Sequence, residues 1–351
     1  MVEQLSLLHG VYARNQGMNG NYTQAYRNRS VNMICEKGEA ILTQADDLVW
    51  SQHENTNVYT AQRTAITNVI DISDVKNGNI IFLDKVTTLN ECIENENSYY
   101  YDNTNIYVHM KYNQVPSFNN LICPLSISNT VFMARALTEN AKFYFENITT
   151  IGGDFGNVFM QSDSTHIGTF IAKNCKFLGA NYNSDHQYDN YSIQGGNSIL
   201  QNCIASYGKK DGFNYHSNSG ANVQAIEINC KGSYNGYNAP SSIANSCNGS
   251  TIHDGGKIIR INCVYNNNYG PNVADVSNNT LSLNYNISSF DSLANENRAD
   301  FLTGQGTSQM YLYNCYSKNS NTNTNLLAQS NSTIYYSNTE FDTSSGNVIE
   351  I

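Results

Sequence analysis

Apolar and polar positions alternate along most of this chain. From about residue 125 onward, short stretches place an apolar side chain at every second position, the period of a strand half-buried in a sheet. Each stretch ends at an asparagine, and a second strand follows directly. The instances read FYFENITTIGG, FIAKNCKFLG, SILQNCIASYG, AIEINCKGSYNG, IIRINCVYNNNYG, LSLNYNISSFDS, MYLYNCYSKNS and TIYYSNTEFD. Their shared asparagines are Asn147, Asn174, Asn202, Asn229, Asn262, Asn286, Asn314 and Asn338, separated by 27, 28, 27, 33, 24, 28 and 24 residues. A period of 2 inside each phrase and of about 27 between phrases is a solenoid signature. A propeller blade would need ~40–45 residues, and a sandwich has no reason to keep one asparagine at a fixed place.

The asparagine has a physical role in such a coil. A sharp turn between two strands calls for a left-handed backbone, which Asn tolerates better than other non-glycine residues. Its amide also reaches the equivalent amide one coil away, about 4.8 Å along the stack. The next residue is cysteine in five coils, Cys175, Cys203, Cys230, Cys263 and Cys315, with Ile148, Ile287 and Thr339 in the others. Stacked inward, these make a column of small side chains, so the nine cysteines are expected to be free thiols.

The repeat resembles the coils of the pectate-lyase-like parallel β-helix superfamily, over roughly residues 125–345. That superfamily includes polysaccharide lyases, glycoside hydrolases and phage tailspikes. The expected fold is therefore all-β, a single-stranded right-handed parallel β-helix of eight or more coils. Residues 125–351 form the helix, and residues 1–124 are expected to supply a β-rich N-terminal cap and the first coils, in one continuous domain. Segments such as NGNIIFLDKV and NTNIYVHMKY read as strands, and TAQRTAITNVIDIS as a short helix or strand edge.

Composition narrows the partners. A net charge of −10 with no basic stripe speaks against nucleic acid and against an anionic membrane. No apolar run approaches the ~18 residues of a membrane span, and no secretion signal is visible at the start. The expected location is a virion tail or an extracellular setting reached without a visible signal peptide, with the cytoplasm as the remaining alternative. Charged residues are only 14% of the chain while tyrosines number 25, a surface that hydrogen-bonds and stacks more than it carries charge. A polysaccharide is the expected partner. The resemblance implies a homotrimer, and Ca²⁺ as cofactor only for a lyase; otherwise none is expected.

Candidate chemistry gathers on the strand preceding the asparagine strand. DGFNYHSNSG, STIHDGG and GPNVADVSNN occupy it in three successive coils. Alternation turns Phe213, Tyr215, Ile252 and Val273 inward, and Asn214, His216, Thr251, His253 and Asn272 outward. In register, His216 and His253 become neighbours, with Asp211, Asp254 and Asp275 close by and Lys210 beside them. Asp211, His216, His253, Asp254 and Asp275 are the catalytic candidates. Asn214, Thr251, Asn272, Lys210, Tyr237 and Tyr269 are the substrate-binding candidates, tyrosine because its ring stacks on sugars. The 33-residue interval inserts a loop, YNAPSSIANSCNG, expected to wall the groove.

Two carboxyl groups suit glycosidic hydrolysis, one giving a proton and one acting as base or nucleophile. A lyase would need Arg, Lys or Ca²⁺ against a uronate carboxylate. This cluster is poor in arginine, with Arg260 on another strand, so hydrolysis leads over elimination. Plainer readings stand beside these. His216 and His253 serve equally as a stacked structural pair, Asp211 and Asp254 sit in Asp-Gly turns, and Glu227 reads as a solvated residue. A non-catalytic glycan-binding or structural fibre protein is the alternative function.

Overall fold

A computed structural model of the chain describes residues 2–13, 26–27, 29–126, 130–181, 189–217, 220–237, 239, 246–293, 299–318 and 324–351. Three long sheets run through it, of 11, 10 and 10 strands, and every strand pair within them is parallel. Successive coils contribute one strand to each sheet, so the chain is a right-handed parallel β-helix. The first sheet holds the strands that end at the repeated asparagines, such as Val223–Ile228 and Lys257–Ile261. The second follows each asparagine, as in Lys231–Ser233 and Val264–Asn266. The third carries Phe213–His216, Ser250–Ile252 and Val273–Val276.

Coiling begins at the N-terminus. Val2–Leu7 pairs with Ser30–Cys35 in the first sheet, and Gly10–Tyr12 with Ala40–Thr43 in the second. Between residues 46 and 125 the chain leaves the solenoid. It builds two small sheets of five and three strands, mostly antiparallel, with one short helix, Leu89–Glu94. The helix starts at a capping box between Thr88 and Glu91. A bridge between Ala45 and Pro124 closes the neck of this excursion. Its Ile70, Ile72, Ile80 and Ile122 pack on Ile41, Ile151 and Leu178 of the second sheet, covering that face of the early coils.

All eight repeated asparagines have the left-handed backbone, with φ between +46° and +56°. Their amides stack as a ladder: Asn174 Nδ2 donates to Asn147 Oδ1 (3.3 Å), Asn202 to Asn174 (3.0 Å) and Asn229 to Asn202 (3.1 Å). Beside it the cysteine column is buried, and all nine cysteines are free. Inside, Phe132, Phe143, Phe145, Phe170 and Tyr191 form a continuous aromatic stack. Each such buried ring contributes roughly 1.5–3 kcal/mol.

A second amide ladder lies at the corner leading into the third sheet. Asn157 donates to Asn190, Asn190 to Asn235, Asn235 to Asn268 and Asn268 to Asn272, at 2.8–3.0 Å, and Asn272 donates to Asp300 at 3.0 Å. In two coils the column position is a glycine, and an asparagine from the next coil's turn fills the space. A Cβ on Gly212 would stand 2.7 Å from the Asn235 amide nitrogen, and one on Gly249 2.8 Å from that of Asn268. Glycine is required at both places by this close approach.

Candidate functional site

The third sheet fixes the site by register. Asn214 aligns with Thr251 and Tyr215 with Ile252, while at the turns just before these strands the Asn190 N–H donates to Asp211 O and the Gly212 N–H to Asn248 O. Phe213, Tyr215, Ile252 and Val273 face the core, each wholly buried, as alternation requires. On the outer side a pocket of about 100 Å³ is lined by Lys210, Asp211, Asn214, His216, Thr251 and His253. Ser246, Asn248 and Gln305 complete its polar wall, and Pro271, Ala274, Val276 and Leu302 give it an apolar side. Six of the eleven sequence candidates thus share one pocket. Residues 238 and 240–245 of the inserted loop lie outside the described residues.

Asp211 is the buried carboxyl of the pocket, 2% exposed. Its Oδ1 accepts from the Asn248 backbone N–H at 2.7 Å, and the Thr251 hydroxyl donates to the same carboxylate. Asp189 stands one coil away, also buried; its Oδ1 accepts from the Asp211 N–H (3.1 Å) and its Oδ2 from Asn214 Nδ2 (2.8 Å). Burial, and after it the charge of Asp211, push Asp189 up to about 8. Burial raises Asp211 as well, opposed by the Lys210 ammonium. Asp189 therefore keeps its proton at neutral pH beside the Asp211 carboxyl.

The histidines form the other wall. Their rings stack at 4.1 Å and 8°. His216 Nδ1 lies 3.1 Å from Asp254 Oδ2, whose side chain is 48% exposed at a left-handed turn. Burial, then the charges of His216 and Lys210, hold His253 well below its usual pKa, so its ring stays neutral. Lys210 Nζ donates to Ser246 Oγ (2.7 Å) and Ser246 O (3.0 Å), anchoring the end of the inserted loop. Two amide oxygens of the pocket, Asn214 Oδ1 and Asn248 Oδ1, are buried with no hydrogen-bond partner among the described residues. A buried acceptor without a donor is costly, and both residues line this pocket. The arrangement offers a proton donor, an exposed carboxylate–imidazole pair, two waiting acceptors and an apolar side.

The structure corrects several expectations. Asp275 is not in the pocket: it aligns with Tyr215 and Ile252 and points into the core. There it pairs with Arg260 at 3.2 Å, both fully buried, and accepts from Ser282. The strand period that turned Tyr215 inward applies equally to Asp275, and an interior arginine makes the charge tolerable. Glu227 is not solvated but buried, accepting from Ser250 (2.8 Å) and from the Tyr265 hydroxyl. Ser250 Oγ accepts in turn from Arg260 Nε at 2.9 Å. Burial raises both Glu227 and Asp275, and Arg260 opposes it. Asn272 belongs to the inner ladder, giving its amide to Phe290 O (2.9 Å) and Asp300. Tyr237 stacks on Phe82 of the excursion at 6.0 Å, and Tyr269 packs against Gly236; neither lines the pocket.

Asp189, Asn248, Ser246 and Gln305 were not singled out from sequence. Asp189 carried a legible signal, because DNYSIQ aligned on the ladder sits over DGFNYH. The others come from turns that the repeat does not place. For a metal, Glu227, Cys230 and Cys263 bring donor atoms within 4.8 Å of one another. They are packed core: both Glu227 oxygens accept hydrogen bonds, and burial raises both thiols. No helix among the described residues is long and apolar enough to cross a membrane.

No family model matches the chain, and no curated protein matches its sequence. Among solved structures, one described as a glycoside hydrolase is similar over 99% of this chain and 89% of that one, with a TM-score of 0.58 and 10% identity. XylC in complex with xylose is similar over 96% and 63%, TM-score 0.42, 8% identity. The tailspike protein gp49 from Pseudomonas phage LKA1 is similar over 99% and 71%, TM-score 0.33, 9% identity. The first likeness extends to the fold alone, and the two lower ones add nothing to it.

Proposed function

We propose that the chain hydrolyses a carbohydrate polymer, a surface polysaccharide cut by a tailspike-like depolymerase on a virion tail or outside the cell. The observation that carries this reading is the buried Asp189–Asp211 pair beside two unpartnered amide oxygens. Sugar hydroxyls supply the donors that Asn214 and Asn248 lack, and Thr251 and Lys210 border the same ring. The apolar side of the pocket takes the ring's C–H face. Asp211, its carboxyl raised by burial, gives a proton to the glycosidic oxygen as the C–O bond breaks. A water on the other side, its proton drawn by Asp254 with His216, bonds to the anomeric carbon.

Elimination is less well supported. Among the described residues lining the pocket Lys210 is the one lysine or arginine, and it holds Ser246, while Arg260 is sealed in the core. A purely glycan-binding role is favoured by one feature, the outward stacks of Tyr285 on Tyr313 (5.0 Å) and Tyr311 on Tyr335 (4.7 Å). The proposed assembly is a homotrimer, supported by an apolar column on the outer face of the first sheet, running from Ile171 through Ile199, Ile226 and Ile259 to Leu283.

The deciding experiment is reducing-end release from a panel of bacterial capsular and cell-wall polysaccharides, with absorbance of unsaturated uronates followed in parallel. Release by wild type that Asp211→Asn and Asp254→Asn abolish while folded supports hydrolysis. Unsaturated product supports a lyase. Binding without release from any polymer overturns the enzymatic reading.

A further inference from the structure

A groove of about 830 Å³ lies away from this pocket, on the outer side of the second sheet. One wall is the single turn Val75–Asn77 of the excursion, and the other is the first amide ladder at Asn147, Asn174 and Asn202. Ile41, Val75 and Ile204 give it an apolar floor. Three lysines, Lys37, Lys76 and Lys176, and one acid, Glu39, complete it with His9. Lys176 pairs with Glu39 at 2.5 Å. Lys37 and Lys76 are exposed and have no carboxylate partner among the described residues. Two more carboxylates stand beside them outside the lining, Asp74, which accepts from Asn77 (2.5 Å) and Asn79 (2.6 Å), and Glu36, which accepts from Ser6 (3.3 Å).

The groove's own lining holds three lysines to one carboxylate, so it presents cations to an anion on a chain of net charge −10. The ladder adds direction. Each amide has two N–H donors and spends one, Asn174 and Asn202 on the asparagine of the coil before and Asn147 on Cys35 O. The second is left for a ligand, repeated every coil at about 4.8 Å along the axis. Cations, a row of regularly spaced donors and a narrow apolar floor together fit an acidic sugar chain. Its carboxylates meet the lysines, its hydroxyl and carbonyl oxygens take the amide donors, and its ring faces lie on the isoleucines. A nucleic acid fits poorly, because its dense charge would face the rest of an acidic surface.

We infer that this groove is a second saccharide site, one that binds a carboxylate-bearing glycan lengthwise along the solenoid, separate from the Asp211 pocket. It rests on the proposed function only in taking the ligand to be a glycan. The groove then holds an acidic polymer on the enzyme while cleavage occurs elsewhere.

Titration calorimetry with a uronic acid hexamer and an uncharged hexose hexamer tests it, on wild type, Lys37→Gln/Lys76→Gln and Asp211→Asn, each checked by its melting curve. The hexauronate is expected to bind wild type and Asp211→Asn alike, and the lysine double variant about tenfold more weakly, with binding weakened by salt. The neutral hexamer is expected to bind the groove at least tenfold more weakly than the acidic one. Equal affinity of the double variant for the hexauronate, or loss of binding in Asp211→Asn alone, overturns the inference. So does tighter binding of a single-stranded oligonucleotide of equal charge. If wild type cleaves no polymer yet the lysine-dependent binding is present, the groove stands and the proposed hydrolysis falls.

Discussion

Asp189 and Asp211 lie on adjacent coils, and burial forces them to keep a proton that exposed carboxyls would lose. The consequence for stability has a definite sign. Asp189 has a folded pKa of about 8 against an ordinary 3.8, and Asp300 one of about 7, so the folded chain holds more protons than the unfolded chain between those values. Stability therefore falls as pH rises through this window. His253 acts in the opposite sense only below its unfolded value of 6.5, where the unfolded chain gains a proton that the folded ring refuses. The clean interval is about pH 6.5 to 8. Urea midpoints are expected to decline across it in wild type and to decline less steeply in Asp189→Asn. An unchanged slope would place the proton elsewhere. The core network makes a separate demand. Arg260 answers two buried carboxylates, so Arg260→Ala strands Glu227 and Asp275 and is expected to cost about 3–5 kcal/mol. Glu227→Gln keeps hydrogen-bonding oxygen and volume, and should cost much less. Chemical denaturation separates the two, and a mild Arg260→Ala would mean that water enters the core.

At the scale of the coil, the turn asparagine does two things that a substitution can separate. Asn202 has φ +54°, and its amide links Asn174 to Asn229. Alanine loses both features, and the left-handed backbone alone costs it roughly 1–2 kcal/mol. Glycine loses only the ladder. Asn202→Ala is thus expected to destabilise more than Asn202→Gly, and equal losses in denaturation would assign the whole effect to the ladder. This element was readable because both of its causes are local: a period-2 strand, a turn residue, and a repeat that keeps them aligned. The pocket was readable in part for the same reason, since His216, His253, Asn214 and Thr251 follow from register. Asp275 and Glu227 were misplaced because polarity was allowed to override the strand period. Each lies at an inward position, and only the buried Arg260, in register with Glu227 on the next strand and paired with Asp275 of the third sheet, reveals why. The inner ladder escaped notice because its asparagines come from turns of unequal length, with Asn235 and Asn268 filling in for Gly212 and Gly249.

Across the whole molecule the three faces of the solenoid are treated differently. The second sheet is covered over its early coils by the excursion, and the third carries the pocket. The first is left with its outer apolar column, where Ile199 is 37% exposed. A column that continues from coil to coil is a patch, and patches of this kind on a soluble surface mark contact with another chain. Isoleucines aligned along a straight solenoid suit a second and third copy packed lengthwise, each burying the same column against its neighbour. Ile226→Lys with Ile259→Lys places two ammonium groups in that contact while leaving inward positions untouched. Sedimentation equilibrium is expected to give a trimer for wild type and a smaller species for the variant, with the melting temperature lowered as the contact is lost. A monomeric wild type would leave the column free for a different partner. A trimer that survives both lysines would mean that the chains meet through another face, and would remove the first sheet from the assembly.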